Sequence, residues 1–237
     1  EVLRAGIATD ATLPGTGACA LPDAIELTRE AVRRGCHRVL VLPPFYFRPA
    51  SESGLFAYYS RIVDAVASSD LRLYLYHIPQ LSGAPITHDL IEKLVTAYPD
   101  NIVGIKEATG NLQRARESLK RCGDRLDLDS GDDATAMELM LRGGKCVISV
   151  TANAAPRAMH EMCAAALAGD RSKAAAINDR LAGLHETLFV EANPIPVKWV
   201  MYEMGLIEPG IRLPLTLLSE RYHDTLRQAM KQAGIIG

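Results

Sequence analysis

"NIVGIKEATG", residues 101–110, sets a lysine at the end of a run that otherwise reads as a buried strand. Ile102, Val103 and Ile105 are apolar and Gly104 is small; Lys106 follows directly, ahead of Glu107 and a small-residue turn. An ammonium group at the inner end of such a strand costs free energy unless an ion pair or a chemical role offsets it. Side chains alternate between the two faces of a strand, so Glu107 points away from Lys106 and is a poor partner for it. Two readings follow. Lys106 is either half of a structural ion pair, with Glu107 or Asp132, or an amine kept dry for chemistry.

The flanking sequence repeats one pattern: a short apolar run, then a longer segment with helical spacing. "ATLPGTG" (11–17), "RVLVLPP" (38–44), "LRLYLYHIP" (71–79), residues 101–106, "RLDLDSG" (125–131) and "KCVISV" (145–150) read as six strands. Pro22 suits the first turn of a helix that Gly35 ends, Thr87 and Asn111 suit N-caps, and Asp132 or Asp133 caps a helix stopping at Gly143-Gly144. Strands alternating with helices predict a parallel sheet, of the Rossmann or the barrel kind. "GTG" at 15–17 is not the GxGxxG of a dinucleotide fold, which speaks against the former. After residue 152 only helical periodicity continues, through Met159, Met162, Ile177, Leu181 and Leu184, with further helices near 194–204 and 219–233. The expected organisation is therefore a partial barrel over 1–152 and a helical extension over 153–237.

Composition narrows the function classes. Of 237 residues, 48% are hydrophobic and 23% charged, as in ordinary globular proteins. A net charge of −2 without a basic run argues against nucleic acid or an anionic membrane as partner. No 18-residue apolar run predicts a transmembrane helix, and "EVLRAGIATD" lacks signal-peptide architecture. Five cysteines (19, 36, 122, 146, 163), odd in number and without CxxC pairing, fit buried thiols in a reducing cytoplasm.

In a parallel α/β barrel, reactive groups gather where strands end. Thr16, Tyr46, Tyr76, Lys106, Ser130, Asp132 and Ile148 lie at such ends. A desolvated lysine has a lowered pKa, and its neutral amine can attack a ketone to form an imine. The protonated imine acidifies the adjacent carbon, giving an enamine that makes or breaks a carbon–carbon bond. Tyr76 ends the preceding strand, where its phenol could relay protons or simply pack in the core. Tyr46 follows Pro43-Pro44 in an exposed turn, as a second proton donor or an interface anchor. His77 faces away from Tyr76 and reads as structural. The other histidines show no ligand spacing, so no metal is expected.

Several motifs occur together in one order: "LPGTGA", "LPPFY", "YHIPQLSG", "VGIKEATGN", "SGDDATAMELM", "CVISVTAN" and "LFVEANPIPVKW". Over nearly the whole chain they resemble the dihydrodipicolinate synthase / N-acetylneuraminate lyase family of pyruvate-dependent aldolases. The resemblance implies an α/β TIM (β/α)8 barrel with a C-terminal helical extension, its first two βα units lacking here. It implies Lys106 as Schiff-base lysine, Tyr76 as proton shuttle, and Tyr46 as the tyrosine reaching into a neighbouring subunit's site. Ile148, Leu81 and Gly131 would line the substrate site. Pyruvate and a small aldehyde would be the substrates, with no metal or organic cofactor, in a cytoplasmic homo-oligomer (dimer or tetramer) serving lysine biosynthesis.

Departures from the family pattern matter. The paired threonines that help hold the pyruvate carboxylate have no counterpart here. Leu81 stands where synthases carry a carboxylate-binding arginine, and "LSG" looks more like the sialic-acid lyases. Cys19 and Phe45 replace the usual asparagine and tyrosine of the lysine feedback site, so weak or absent lysine inhibition is expected. "NPIPVKW" and "IRLPLT" look like bacterial dihydrodipicolinate synthase instead. A sialic-acid lyase or 2-keto-3-deoxy sugar acid aldolase is thus the alternative within this chemistry. A non-catalytic barrel fragment or binding protein is the alternative of another class.

Overall fold

The computed structural model describes residues 2–237, which divide into two compact units at Asp129/Ser130. The first unit alternates helix and strand: α1 (Leu21–Arg33), β1 (Arg38–Val41), α2 (Glu52–Val66), β2 (Arg72–His77), α3 (Pro79–Ser82), α4 (His88–Ala97), β3 (Ile102–Glu107), α5 (Leu112–Cys122) and β4 (Asp127–Ser130). β1 to β4 lie side by side in chain order, and the pairings of β1 with β2 and of β2 with β3 are parallel. The α/β alternation with parallel strands read from the sequence is therefore present.

Local signals explain the helix ends. Pro22 sits in the first turn of α1. Ser51 caps α2, Thr87 caps α4 through Leu90 N, and Asn111 caps α5 by accepting from Gln113 N and Arg114 N. Each such cap contributes about 1 kcal/mol. Beneath the helices, Val39, Val41, Leu73, Leu75 and Ile105 are fully buried, worth roughly 1.5–3 kcal/mol apiece.

The strands are shorter than the apolar runs suggest. Residues 11–17 form no full strand: Thr9–Ala11 is a 3-10 turn, and only Gly15 bridges to Leu40. Pro14 has no N–H to donate, which limits that segment to an edge. Residues 145–150 yield only the two-residue β5 (Cys146–Val147), so five strands are present among the described residues instead of six. Cys36 and Cys122 are buried as expected, but Cys146 is exposed on β5. Its place at the start of a very short strand gives it no cover.

The second unit opens on Ser130, whose carbonyl accepts from Ile148 N at 2.9 Å. It holds α6 (Asp133–Leu141), β5, α7 (Pro156–Leu167), α8 (Arg171–Thr187), α9 (Ile195–Glu203) and α10 (His223–Gln232). Asp132 caps α6 and Asp170 caps α8. Met159, Met162, Leu181, Leu184, Val200, Leu226 and Met230 form its apolar core.

One face of the first unit's sheet carries Tyr74 and Tyr76 of β2 and Gly104 and Lys106 of β3. Tyr74 lies opposite Gly104 in register, and a Cβ on Gly104 would fall 2.1 Å from the Tyr74 ring. Glycine is required there because the ring occupies the space. Tyr74 Oη donates to Asp127 Oδ2 at 3.3 Å. Asp129 is 5% exposed, and burial with the Asp127 charge pushes its carboxyl up to about 7. Its folded pKa is raised, so from about pH 4 to 7 the unfolded chain releases a proton that the folded chain keeps, and stability falls as pH rises. Asp129→Asn is expected to raise the melting temperature more at pH 7.5 than at pH 4.5. The gain is on the order of 1–3 kcal/mol at the higher pH; thermal melts across that range check it.

Candidate active site

Parallel pairing of β2 with β3 sets Tyr76 directly opposite Lys106 and His77 opposite Glu107. Alternation then separates the four side chains into two pairs, one on each face of the sheet. On the first face, Lys106 is 8% exposed. Its Nζ donates to Tyr76 Oη at 3.0 Å and stands 4.2 Å from the centre of that ring. Within the first unit no carboxylate among the described residues pairs with Lys106, and Glu107 is engaged elsewhere, so the structural ion pair with Glu107 is not formed. The ammonium group has a phenol for company, an arrangement that can pass a proton between the two atoms.

On the opposite face Glu107, 2% exposed, is fully engaged. Its Oε2 accepts from Arg114 Nε at 2.7 Å, and its Oε1 accepts from Thr109 N at 2.9 Å and Thr109 Oγ1 at 2.5 Å. Arg114 also donates to Ile86 O at 2.5 Å. His77 Nδ1 accepts from Ile86 N at 3.1 Å, which leaves the proton on Nε2, 3.9 Å from Glu107 Oε2. Burial holds the His77 pKa down at about 4. The structural role read for His77 from its position on the strand is thus what the geometry displays. Arg114 was not singled out in the sequence. The one available signal was the Asn111 cap, which fixes the first turn of α5 and with it the direction of Arg114.

Other residues singled out in the sequence fall in different surroundings. Tyr46 is 76% exposed and stacks edge-on with Phe47 at 5.2 Å. Leu81 is exposed on the short helix α3, whose Gln80 Nε2 donates to Ala108 O at 2.7 Å, tying that turn to the chain just after Lys106. Gly83 ends α3 with φ +60°, and a Cβ there would lie 2.3 Å from Arg48 Cδ and 2.6 Å from its Nη1. The loop after β1 therefore lays a guanidinium against the turn that carries Leu81, a feature the sequence did not signal. Thr16 is spent on a bond to Thr28 Oγ1 at 2.8 Å.

In the second unit, Gly131 and Ile148 are half-buried beside Ser130, which is fully buried. Ser130 Oγ donates to Asp132 O, and Asp132 accepts from Thr135, so both side chains shape the turn into α6. Asp133 accepts from Val150 N and Thr151 N, each at 2.9 Å. His185 pairs with Thr151 Oγ1 at 2.8 Å, and burial lowers its pKa. No group of three or more His, Cys, Asp or Glu able to hold a metal occurs among the described residues. No helix among them is long and apolar enough to cross a membrane.

Comparison with known proteins bears on this site. The profile of the dihydrodipicolinate synthetase family matches residues 11–233. A 4-hydroxy-tetrahydrodipicolinate synthase of Thioalkalivibrio sulfidiphilus is 52% identical over 223 residues, covering 94% of this chain and 74% of that protein. The crystal structure of the chloride-inhibited dihydrodipicolinate synthase from Acinetobacter baumannii, complexed with pyruvate, is 46% identical with a TM-score of 0.87, covering 94% of this chain and 74% of that one. The dihydrodipicolinate synthase of Aquifex aeolicus gives a TM-score of 0.90 at 35% identity over 99% of this chain and 78% of its own.

The His77 environment has a measurable consequence. Its folded pKa is depressed, so between about pH 6.5 and 4 the unfolded chain takes up a proton that the folded chain refuses. Stability contributed by neutral His77 is lost as pH falls through that window, opposite in sign to the Asp129 effect. His77→Gln is expected to flatten the acid limb of the melting-temperature profile relative to the parent chain.

Proposed function

Since this chain belongs to the dihydrodipicolinate synthetase family, we propose that it is a Schiff-base aldolase condensing pyruvate with aspartate semialdehyde, as a 4-hydroxy-tetrahydrodipicolinate synthase does. The observation that carries this reading is the Lys106 Nζ–Tyr76 Oη contact at 3.0 Å on a buried strand end without a competing carboxylate. Lys106 attacks the keto carbon of pyruvate, and the carbinolamine loses water to give the imine. The iminium accepts the electron pair when a methyl proton leaves, and the resulting enamine carbon adds to the aldehyde. The amine of the second substrate then attacks the imine carbon, closing the ring and releasing Lys106. Tyr76 is placed to hand protons to and from nitrogen and oxygen in these steps. The covalent imine is itself the electron sink, so the chemistry needs no cofactor.

In this reading Tyr46 completes the proton relay of a neighbouring subunit, which suits an aromatic side chain left exposed beside Phe47. Ile148 and Gly131 line the pyruvate pocket. The working form is a dimer or tetramer in the cytoplasm. Residues 1–152 act as barrel and 153–237 as helical extension. Leu81 favours a second reading, a lyase acting on a sialic acid or a sugar-derived keto acid, because its side chain cannot bind a carboxylate.

Borohydride reduction in the presence of pyruvate, followed by peptide mapping, is expected to place the adduct on Lys106 alone. An adduct elsewhere, or none, removes the aldolase reading. Tyr76→Phe is expected to slow trapping about 10²- to 10⁴-fold, the usual span for losing a general acid–base group. Activity towards a panel of aldehydes separates the synthase from the lyase. Arg48→Gln is expected to raise the half-saturating concentration of a carboxylated aldehyde about tenfold or more while leaving pyruvate trapping unchanged.

A further inference from the structure

We infer that the buried Glu107–Arg114 pair, on the face of the sheet away from the reacting atoms, positions Lys106 against Tyr76. The inference rests on Lys106 being the nucleophile. Glu107 and His77 are the chain neighbours of Lys106 and Tyr76 and oppose each other in the same register. Glu107 is held by Arg114 at 2.7 Å and by two donors of Thr109. Arg114 grips Ile86 O, and Ile86 N is bound by His77 Nδ1 at 3.1 Å. The circuit therefore runs from β3 through α5 to the segment after β2 and back to β2. It closes around the backbone step that carries both functional side chains.

The geometry explains why this back face matters. Lys106 has a long side chain whose Nζ makes one hydrogen bond among the described residues, to Tyr76 Oη. Its Nζ reaches Tyr76 Oη only if the ends of β2 and β3 stay in register and untwisted relative to each other. Those ends are the last rungs of the ladder, where backbone pairing alone is weakest. Gln80 bonding to Ala108 O adds one further tie across the same gap. Glu107 and Arg114 are thus positioning residues; neither touches the reacting atoms.

A merely structural ion pair would act through stability alone, and the two roles separate in a set of three variants: Glu107→Gln, Arg114→Met and the double substitution. Each single change strands a buried charge or its partner and should lower the melting temperature. The double change removes both charges and should recover much of it. We expect reductive trapping with pyruvate to fall about 10- to 100-fold in each single variant, at nearly unchanged half-saturating pyruvate, as for a small misplacement of a reacting group. Trapping should stay low in the double variant although its stability returns. Crystal structures of the Arg114→Met and double variants should show Lys106 Nζ beyond hydrogen-bond distance of Tyr76 Oη. Trapping that recovers in step with melting temperature, or an Nζ–Oη separation still at 3.0 Å, overturns the inference. If the parent chain traps no pyruvate, the Schiff-base reading fails. The variant structures still decide whether the back-face pair sets the Lys106–Tyr76 contact.

Discussion

Register between β2 and β3 is the constraint from which the rest of the site follows. Two adjacent parallel strands present their side chains in matched rows, and a slip of one residue would send every side chain to the other face. With Tyr76 level with Lys106, a phenol and an amine meet on one side while an imidazole and a carboxylate meet on the other. The dry surroundings of Lys106 come from the strand itself, which is buried among apolar neighbours on the helix side and closed by the Tyr76 ring on the other.

Opposite solutions to the cost of buried charge appear on the two faces. Glu107 is stabilised in the usual way, with a guanidinium and two further donors meeting both carboxylate oxygens. Asp129 has no such company among the described residues; burial, and then the nearby Asp127, make it resist ionising instead. His77 resolves the same problem by staying neutral. A titration of the whole fold would superpose the Asp129 and His77 effects with opposite signs, each masking the other.

The sequence made some of this legible and hid the rest for identifiable reasons. Lys106 stood out because a cation interrupts an apolar run, and Tyr76 because strand alternation lets its position be counted. Helix caps at Thr87, Asn111 and Asp132 were readable since a cap acts over three residues. Strand extent was not: Pro14 and the glycines around it reduce residues 11–17 to a single bridge, and apolar content alone cannot report missing partners for 145–150. Arg114 and Arg48 were hidden for a further reason. Their contacts are with Glu107 and with the turn at Gly83, seven and thirty-five positions away in the chain, and neither pairing can be read from local spacing. Family resemblance supplied the substrates, but the side-chain partners had to come from the fold.

Gly104 has a consequence beyond its own conformation. Tyr74 fills the space above it, one layer below Lys106 and Tyr76 on the same face, so an aromatic ring backs that pair from beneath. That ring is in turn anchored to Asp127. Any variant meant to open space beneath Lys106 and Tyr76 would have to excavate at Tyr74, because the ring and not the strand backbone occupies that layer.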